Sequence, residues 1–201
     1  LTSITIPDSV TSIGGSAFYE CTGLTNVYII DIAKWCSMDF GGGLANPLYY
    51  ADNLYLNNEL VTDLVIPDSV TTIGSSALKG CSGLTSLTIG NGVKTIDVDA
   101  FTACNSVKTL VTGNGLTSLD NLPITSALES ITIGDRITEI GADTFTDCNA
   151  VKTLVTGNGL TTLDNLPITS ALESITIGNG ITEIGDNKFY EFTNLKSVTF
   201  A

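Results

Sequence analysis

The sequence predicts a repeat solenoid, mainly β, with a parallel sheet on one face and short strands and turns on the other. Three observations carry that reading. The stretch Leu1–Gly23 returns in varied form, with copies opening at Leu24, Val61, Leu84, Val107, Leu128, Val151 and Leu172 and a partial one at Leu195. The openings are spaced 23, 37, 23, 23, 21, 23, 21 and 23 residues apart, and a fixed period in the twenties marks one coil of a stacked array. Within each copy the first apolar residues step by two, as Ile4 and Ile6 do around Thr5, which is the pattern of a half-buried strand. Residues 1–201 are therefore expected to form one elongated domain of about eight full coils plus a partial one, with coils of 21–23 residues and an insertion within 24–60.

The first copy shows what a coil contains. Leu1, Ile4, Ile6, Val10, Ile13, Ala17, Phe18 and Cys21 are its apolar positions. Val10 and Ile13 flank a second short extended piece. One such coil buries too little hydrocarbon to offset the entropy of ordering its backbone, so it needs neighbours stacked above and below. The turn after the strand has two versions. Pro7-Asp8-Ser9 and Pro67-Asp68-Ser69 use a fixed φ. Gly90-Asn91-Gly92, Gly113-Asn114-Gly115, Gly157-Asn158-Gly159 and Gly178-Asn179-Gly180 use glycine, expected for its backbone freedom, and Gly134-Asp135-Arg136 lies between the two. Asp or Asn stands at the eighth place of all seven of these coils, where its side chain is expected to bond its own turn. A calcium-binding row is not supported, because the closely alternating Gly-Asp spacing of calcium-binding β-rolls is missing.

The copy at Leu24–Leu60 is longer by 14 residues (37 against 23) and holds Tyr28, Trp35, Phe40, Tyr49, Tyr50 and Tyr55. Asp31–Cys36 suits a short helical turn. Gly41-Gly42-Gly43 is a break, Asn46-Pro47 a turn, and Leu54–Leu56 with Asn57-Asn58 and Glu59–Val61 a two-residue β-hairpin. Of these aromatics, Trp35, Tyr49, Tyr50 and Tyr55 form the candidate partner-binding patch, since aromatic side chains are favoured interface anchors. The competing expectation is that they fill the insertion's own small core.

Val107–Ala150 and Val151–Asn194 are near-duplicate blocks of 44 residues differing at 11 positions. Each joins a 21-residue coil to a 23-residue one. Leu122 and Leu166 replace the usual phenylalanine, and Pro123 and Pro167 exclude a helix interior there. The second coil position runs Lys108, Glu129, Lys152, Glu173, Lys196, a row whose signs alternate between adjacent strands and which specifies register. The remaining outward strand positions are largely Ser and Thr. Such a hydroxyl-rich face suits an exposed strand and could also meet a sugar or a partner strand.

Cys21, Cys81, Cys104 and Cys148 occupy the same coil position, where Phe192 stands in the Leu172 copy. This predicts an apolar slot filled by free thiols. Cys36 lies in the insertion. No CxxC-type cluster suggests zinc. The net charge of −13, from 8 basic and 21 acidic residues, repels polyanions, so no nucleic-acid partner is expected. No apolar run is long enough for membrane insertion. The absence of histidine removes Ser-His-Asp and Cys-His catalysis within this chain, and no phosphate-binding Gly-Lys loop is present. A carboxylate-based polysaccharide-active enzyme of β-helix type is the one catalytic alternative, and its acids are scattered over turns and edges. Residue 1 already occupies the first core position, which reads as a trimmed product. The natural chain is expected to continue at one or both ends, or to protect an end by self-association through an uncapped coil.

The pattern L-x-x-I-x-I-P-D-x-V-x-x-I-G-x-x-A-F-x-x-C-x-x resembles the BspA-like leucine-rich repeats, also called leucine-rich repeat type 5. Leu1–Gly23 and Val61–Gly83 fit nearly throughout, with Leu78 in place of phenylalanine. Trp35-Cys36, the NPLYY of Asn46–Tyr50 and the LYLNNELVTDLVIPDSV of Leu54–Val70 resemble a recurrent insert of such proteins. The resemblance implies a right-handed solenoid of the α/β leucine-rich-repeat class with no catalytic residues to transfer, and from the residues themselves no cofactor and no metal are expected. It implies a bacterial cell-surface or secreted protein that mediates adhesion to a host or bacterial surface protein, or to a glycan. It supplies no ligand-contact residues. In the common leucine-rich consensus the asparagine falls one place later, so its ladder need not carry over. The alternative function is a passive spacer or stalk that holds another domain away from the cell.

Overall fold

A computed structural model describes residues 1–201. In chain order its elements are β1 (Ser3–Thr5), β2 (Ser12–Ile13), β3 (Asn26–Ile29), α1 (Ile32–Cys36), β4 (Asp39–Phe40), a 3-10 turn (Pro47–Tyr49), β5 (Asn53–Leu56), β6 (Glu59–Leu60), β7 (Asp63–Ile66) and β8 (Thr72–Ile73). Then come β9 (Ser86–Ile89), β10 (Thr95–Ile96), β11 (Thr109–Val111), β12 (Ser130–Thr132), β13 (Thr153–Val155), β14 (Ser174–Ile177) and β15 (Ser197–Phe200). The chain is a mainly β parallel solenoid, as the period requires.

From β7 to β15 the seven strands stack in parallel in coil order, leaving out only the short far-side strands. Asp63, Ser86, Thr109, Ser130, Thr153, Ser174 and Ser197 are successive register partners. Their steps reproduce the 23- and 21-residue spacings, so the shorter coils lose residues on the far side and not in the sheet. Leu64, Leu87, Leu110, Ile131, Leu154 and Ile175 lie over one another and are buried. They belong to a single cluster of 50 buried apolar residues that runs the length of the molecule. Like residues thus meet like residues, and the parallel strand bonds hold the coils in place.

The sheet is not one continuous ladder. A separate four-stranded sheet runs β1-β3-β5-β6. Asn26 pairs with Asn53, 27 residues on, where the regular step is 23. The chain then reverses through Asn57 and Asn58, both left-handed at φ 53° and 67°, and β6 pairs antiparallel with β5. Two left-handed residues match the twist of a two-residue hairpin. The long copy is therefore a 27-residue coil followed by a hairpin. It adds one more strand to the sheet face than to the far face, where β2 pairs β4 and β8 pairs β10. Within it, Asp31 caps α1 by accepting from the Ala33 and Lys34 N–H groups. Asn46 likewise caps the 3-10 turn.

The glycines of the Gly-Asn-Gly turns do not supply unusual φ, contrary to expectation: Gly42 and Gly80 are the glycines with positive φ. Their role is close approach. A Cβ on Gly92 would sit 1.8 Å from the Asp68 carbonyl oxygen, and one on Gly115 2.2 Å from that of Val93. The proline versions fall in the coils of β1 and β7, which are the strands that open the two parallel stacks. Proline marks a turn with no regular coil packed beneath it, and glycine a turn that rests on one.

The eighth-position side chains also differ from expectation. They bond the next coil, not their own. Asp68 Oδ1 accepts from the Asn91 N–H at 2.6 Å, Asn91 from Asn114 at 2.9 Å, and Asn114 from Asp135 at 2.8 Å. Asp135 accepts from Asn158 at 2.9 Å and Asn158 from Asn179 at 2.8 Å. An asparagine and aspartate ladder does run through this chain, one place earlier in the coil.

Candidate interaction faces at the insertion

The insertion's aromatic side chains go to three different places. Trp35 is withdrawn from the surface at 1% exposure. It packs edge-on to Phe40 at 5.2 Å, and its Nε1–H donates to the Ala77 carbonyl at 2.7 Å. Fully buried Asn46 donates to the Ser76 and Ala77 carbonyls and accepts from the Leu48 N–H. The physical reason is that an enlarged coil needs its own core and must be fastened to the next coil. Trp35 fills that core and so cannot anchor a partner.

Tyr49 and Tyr50 lie on the solenoid's edge, their rings perpendicular at 5.0 Å. Tyr49 is exposed, with Lys79 Nζ 5.9 Å from its ring centroid. The Tyr50 hydroxyl accepts from the Glu20 N–H at 3.3 Å. Lys79 also pairs with Asp99 at 3.0 Å. The lysine and the Thr102 hydroxyl hold the Asp99 carboxyl below its usual range.

Tyr55 lies on the solvent face of the sheet and stacks on Tyr28 at 4.6 Å with the ring planes 19° apart. Register places Thr5, Tyr28, Tyr55 and Leu60 in one row. Val65 holds the same place in β7, opposite Thr88, and is 63% exposed; Leu60 is 47% exposed. Sequence reasoning singled out Tyr55 but missed Tyr28, Leu60 and Val65 as its companions. The signal was present in part: Tyr28 falls at the fifth coil position, where Thr5, Thr88, Thr132, Thr176 and Thr199 stand in other copies and Val65, Val111 and Val155 in the rest.

Apart from the half-buried Val111 and Val155, the rest of the sheet face is largely polar and partly bonded to itself. Thr25 and Thr85 hydroxyls donate to the Thr2 and Thr62 carbonyls, and Thr176 shares a bond with Thr199 at 2.9 Å. Glu129 sits between Lys108 at 3.2 Å and Lys152 at 2.8 Å, and Glu173 is 2.5 Å from Lys196. Among neighbours in the row, Lys152 and Glu173 form no ion pair. The lysines hold Glu129 and Glu173 below the ordinary carboxylate range, and Glu129 raises Lys152.

All five cysteines are free. Cys81, Cys104 and Cys148 fill the expected slot, while Cys21 is half-buried. The Cys104 and Cys148 thiols point to the Leu78 and Thr125 carbonyls of neighbouring coils. Burial pushes the Cys36, Cys81 and Cys104 thiols up to about 12 and Cys148 to about 11. No three acid or thiol side chains come together as a metal-holding group, and no helix is long and apolar enough to cross a membrane.

The family model described as the BspA type leucine rich repeat region matches six copies, over residues 1–37, 50–166 and 124–201. Among solved structures, the chain is similar to the pneumococcal vaccine antigen PcpA at 16% identity and TM-score 0.56, covering 99% of this chain and 63% of that one. A leucine-rich repeat protein of Eubacterium ventriosum matches at 20% identity and TM-score 0.42, over 99% of this chain and 72% of that one. A leucine rich cell surface protein of Faecalibacterium prausnitzii matches at 20% identity and TM-score 0.32, over 100% and 79%. The likeness to PcpA describes the fold alone. The chain spans less than two thirds of that PcpA chain. A search of curated proteins finds no match.

Proposed function

We infer, for a chain that belongs to the BspA-type leucine-rich repeat family, that its work is non-catalytic and consists of binding a protein at a bacterial cell surface or outside the cell. The observation that carries this reading is the stacked Tyr28–Tyr55 pair with exposed Leu60 and Val65 on an otherwise Ser/Thr-rich sheet. Two aromatic rings already ordered by stacking lose little freedom on binding, and an apolar row rimmed by hydroxyls has the composition of an interface core within a polar rim. A rigid parallel sheet holds that row in place without a partner. Tyr49, exposed on the neighbouring edge, is available to the same partner only if that partner wraps the edge.

The test is titration of the isolated chain against host matrix proteins and a glycan panel, with Tyr28→Ser/Tyr55→Ser as the paired variant. Saturable binding to a protein that the double variant loses supports the reading. Binding that ignores the variant moves the site elsewhere.

The second reading, a passive spacer, rests on the near-identical blocks from Val107 to Asn194, whose sheet face bonds largely to itself. It expects no saturable binding to any member of the panel.

A further inference from the structure

On the face away from the sheet, the coils opening at Leu24 and Val61 part and leave a cleft of about 580 Å³ between α1–β4 and Ser69–Ser75. The neighbouring far-side strands pair, β2 with β4 and β8 with β10. Across the cleft β4 and β8 do not pair, and Gly74 N–H donates to the Cys36 carbonyl at 2.8 Å. The extra hairpin on the sheet side explains the gap, because it inserts a strand's width on one face only.

Both facing edges keep backbone groups free. In β8 the Thr71 carbonyl accepts from Lys94 and Thr95, and the Ile73 carbonyl from Asp97. Alternation along a strand then turns the Thr72 N–H and C=O toward the cleft. On the opposite wall Asp39 N–H donates to Thr11 and Gly41 N–H to Ile13, so the Phe40 N–H faces the cleft. Buried Met38, Phe40 and Val70 contribute apolar lining. The charge is one-sided. Lys34 is paired with Asp8 at 3.5 Å, whereas Asp39 and Asp97 line the cleft with no cation within ion-pair distance.

We propose that this cleft binds an extended peptide segment bearing a lysine or arginine, whose backbone pairs with the free edge at Thr72 and whose cation lies between Asp39 and Asp97. The Gly74–Cys36 bond joins the two walls at one point; beside it the unpaired main-chain groups of Thr72 and Phe40 are of the kind that strand addition uses. Side-chain hydroxyls alone would suit a sugar, but the free main-chain edge and the two carboxylates select a cationic chain. The site is independent of the tyrosine row on the opposite face.

The experiment titrates the whole chain with an acetylated, amidated hexapeptide Thr-Val-Lys-Val-Thr-Val, read by calorimetry and amide chemical shifts. Its controls are the same peptide N-methylated at alternate amides, one with Glu for Lys, and cellohexaose. Saturable binding is expected, with shifts at Thr72, Asp97 and Phe40. Thr72→Pro, which removes an N–H not used by β10, and Asp39→Asn/Asp97→Asn each weaken it at least tenfold. Tyr28→Ser/Tyr55→Ser leaves it unchanged. Should the proline disturb β8, the double asparagine variant, which keeps the backbone, decides alone. No saturation by the hexapeptide, equal binding of the N-methylated or Glu peptide, indifference to the asparagine variant, or preference for cellohexaose each overturns the proposal.

Discussion

The blocks at Val107–Asn194 and the insertion at Leu24–Leu60 bury their hydrocarbon in opposite ways. In the blocks many contacts recur 44 residues on. Thr112 Oγ1 accepts from the Gly134 N–H at 2.8 Å and Thr156 from Gly178 at the same distance. Asn121 donates to the Ile96 carbonyl and Asn165 to Ile140, both at 2.8 Å. In the insertion nothing recurs, and one tryptophan and one asparagine converge on Ala77 of the next coil. Repetition distributes stability over many equivalent contacts. A single join concentrates it in a few side chains.

The largest effect is therefore expected at Trp35. Trp35→Ala removes a fully buried ring and should cost about 3–5 kcal/mol. Because coils couple mainly to their neighbours, hydrogen exchange should show lost protection in β1, β3 and β5 and retained protection in β11–β14. Leu154→Ala, about 2–5 kcal/mol in the regular stack, should show the reverse. A uniform loss of protection in both variants would mean the two regions unfold as one, and the contrast between them would fail.

The next contrast sets two glycines against each other. Gly115→Ala drives a Cβ to 2.2 Å from the Val93 carbonyl oxygen, so neighbouring coils must separate, at a cost of about 1–3 kcal/mol. Gly14 in the first coil has nothing within 4 Å of its added Cβ. Gly14→Ala should be neutral or stabilising by about 0.4–1 kcal/mol, through lost freedom of the unfolded chain. Urea midpoints of the two variants check the pair. Equal destabilisation would remove close approach as the reason for glycine in these turns.

This contrast also explains what the sequence made legible. Strand positions, register and the cysteine slot follow from a residue facing its own equivalent, and period alone locates them. The α1 turn and the Asn57-Asn58 hairpin follow from local chemistry. The join between insertion and next coil does not, because Trp35 to Ala77 spans 42 residues with no periodic partner. For the same reason the sequence does not show that Trp35 goes to the core, Tyr49 and Tyr50 to the edge and Tyr55 to the sheet face. Their spacing in sequence carries no information on whether a ring meets the core, the edge or the sheet face. Tyr28 and Tyr55 become neighbours only once Asn26 is known to pair with Asn53.

A smaller effect compares Gly80 and Ala103, which share one coil position. Gly80 has φ 86° and faces the insertion, with a Cβ position 2.3 Å from the Leu48 carbonyl oxygen. Ala103 adopts φ 67° and is exposed. Its left-handed backbone is strained for a residue with a Cβ. Ala103→Gly should raise stability by about 0.5–1 kcal/mol, the steric relief less the entropy cost of glycine, seen as a higher Tm. No rise would place the strain elsewhere in the turn.

The smallest effect belongs to the charge ladder of the blocks, which the insertion lacks. Glu129 is partly exposed, and its side-chain bonds to Lys152 and Lys108 lower its carboxyl below the ordinary value of 4.5. A carboxyl with a lowered folded value stabilises the fold above its unfolded value and loses that contribution as pH falls through the folded value. Lys152, raised above 10.5 by Glu129, contributes fully below its unfolded value and loses the contribution as pH rises through the folded one. The ladder should thus flatten stability between those limits and steepen its fall at the acid end. Glu129→Gln should reduce the acid-end slope, and 1 M NaCl should mask the difference, because these pairs face solvent. Urea midpoints of wild type and variant from pH 3 to 7, at low and high salt, measure both. An acid slope that survives both changes would assign it to other carboxylates, and the alternating row would then serve to fix register without adding measurable stability.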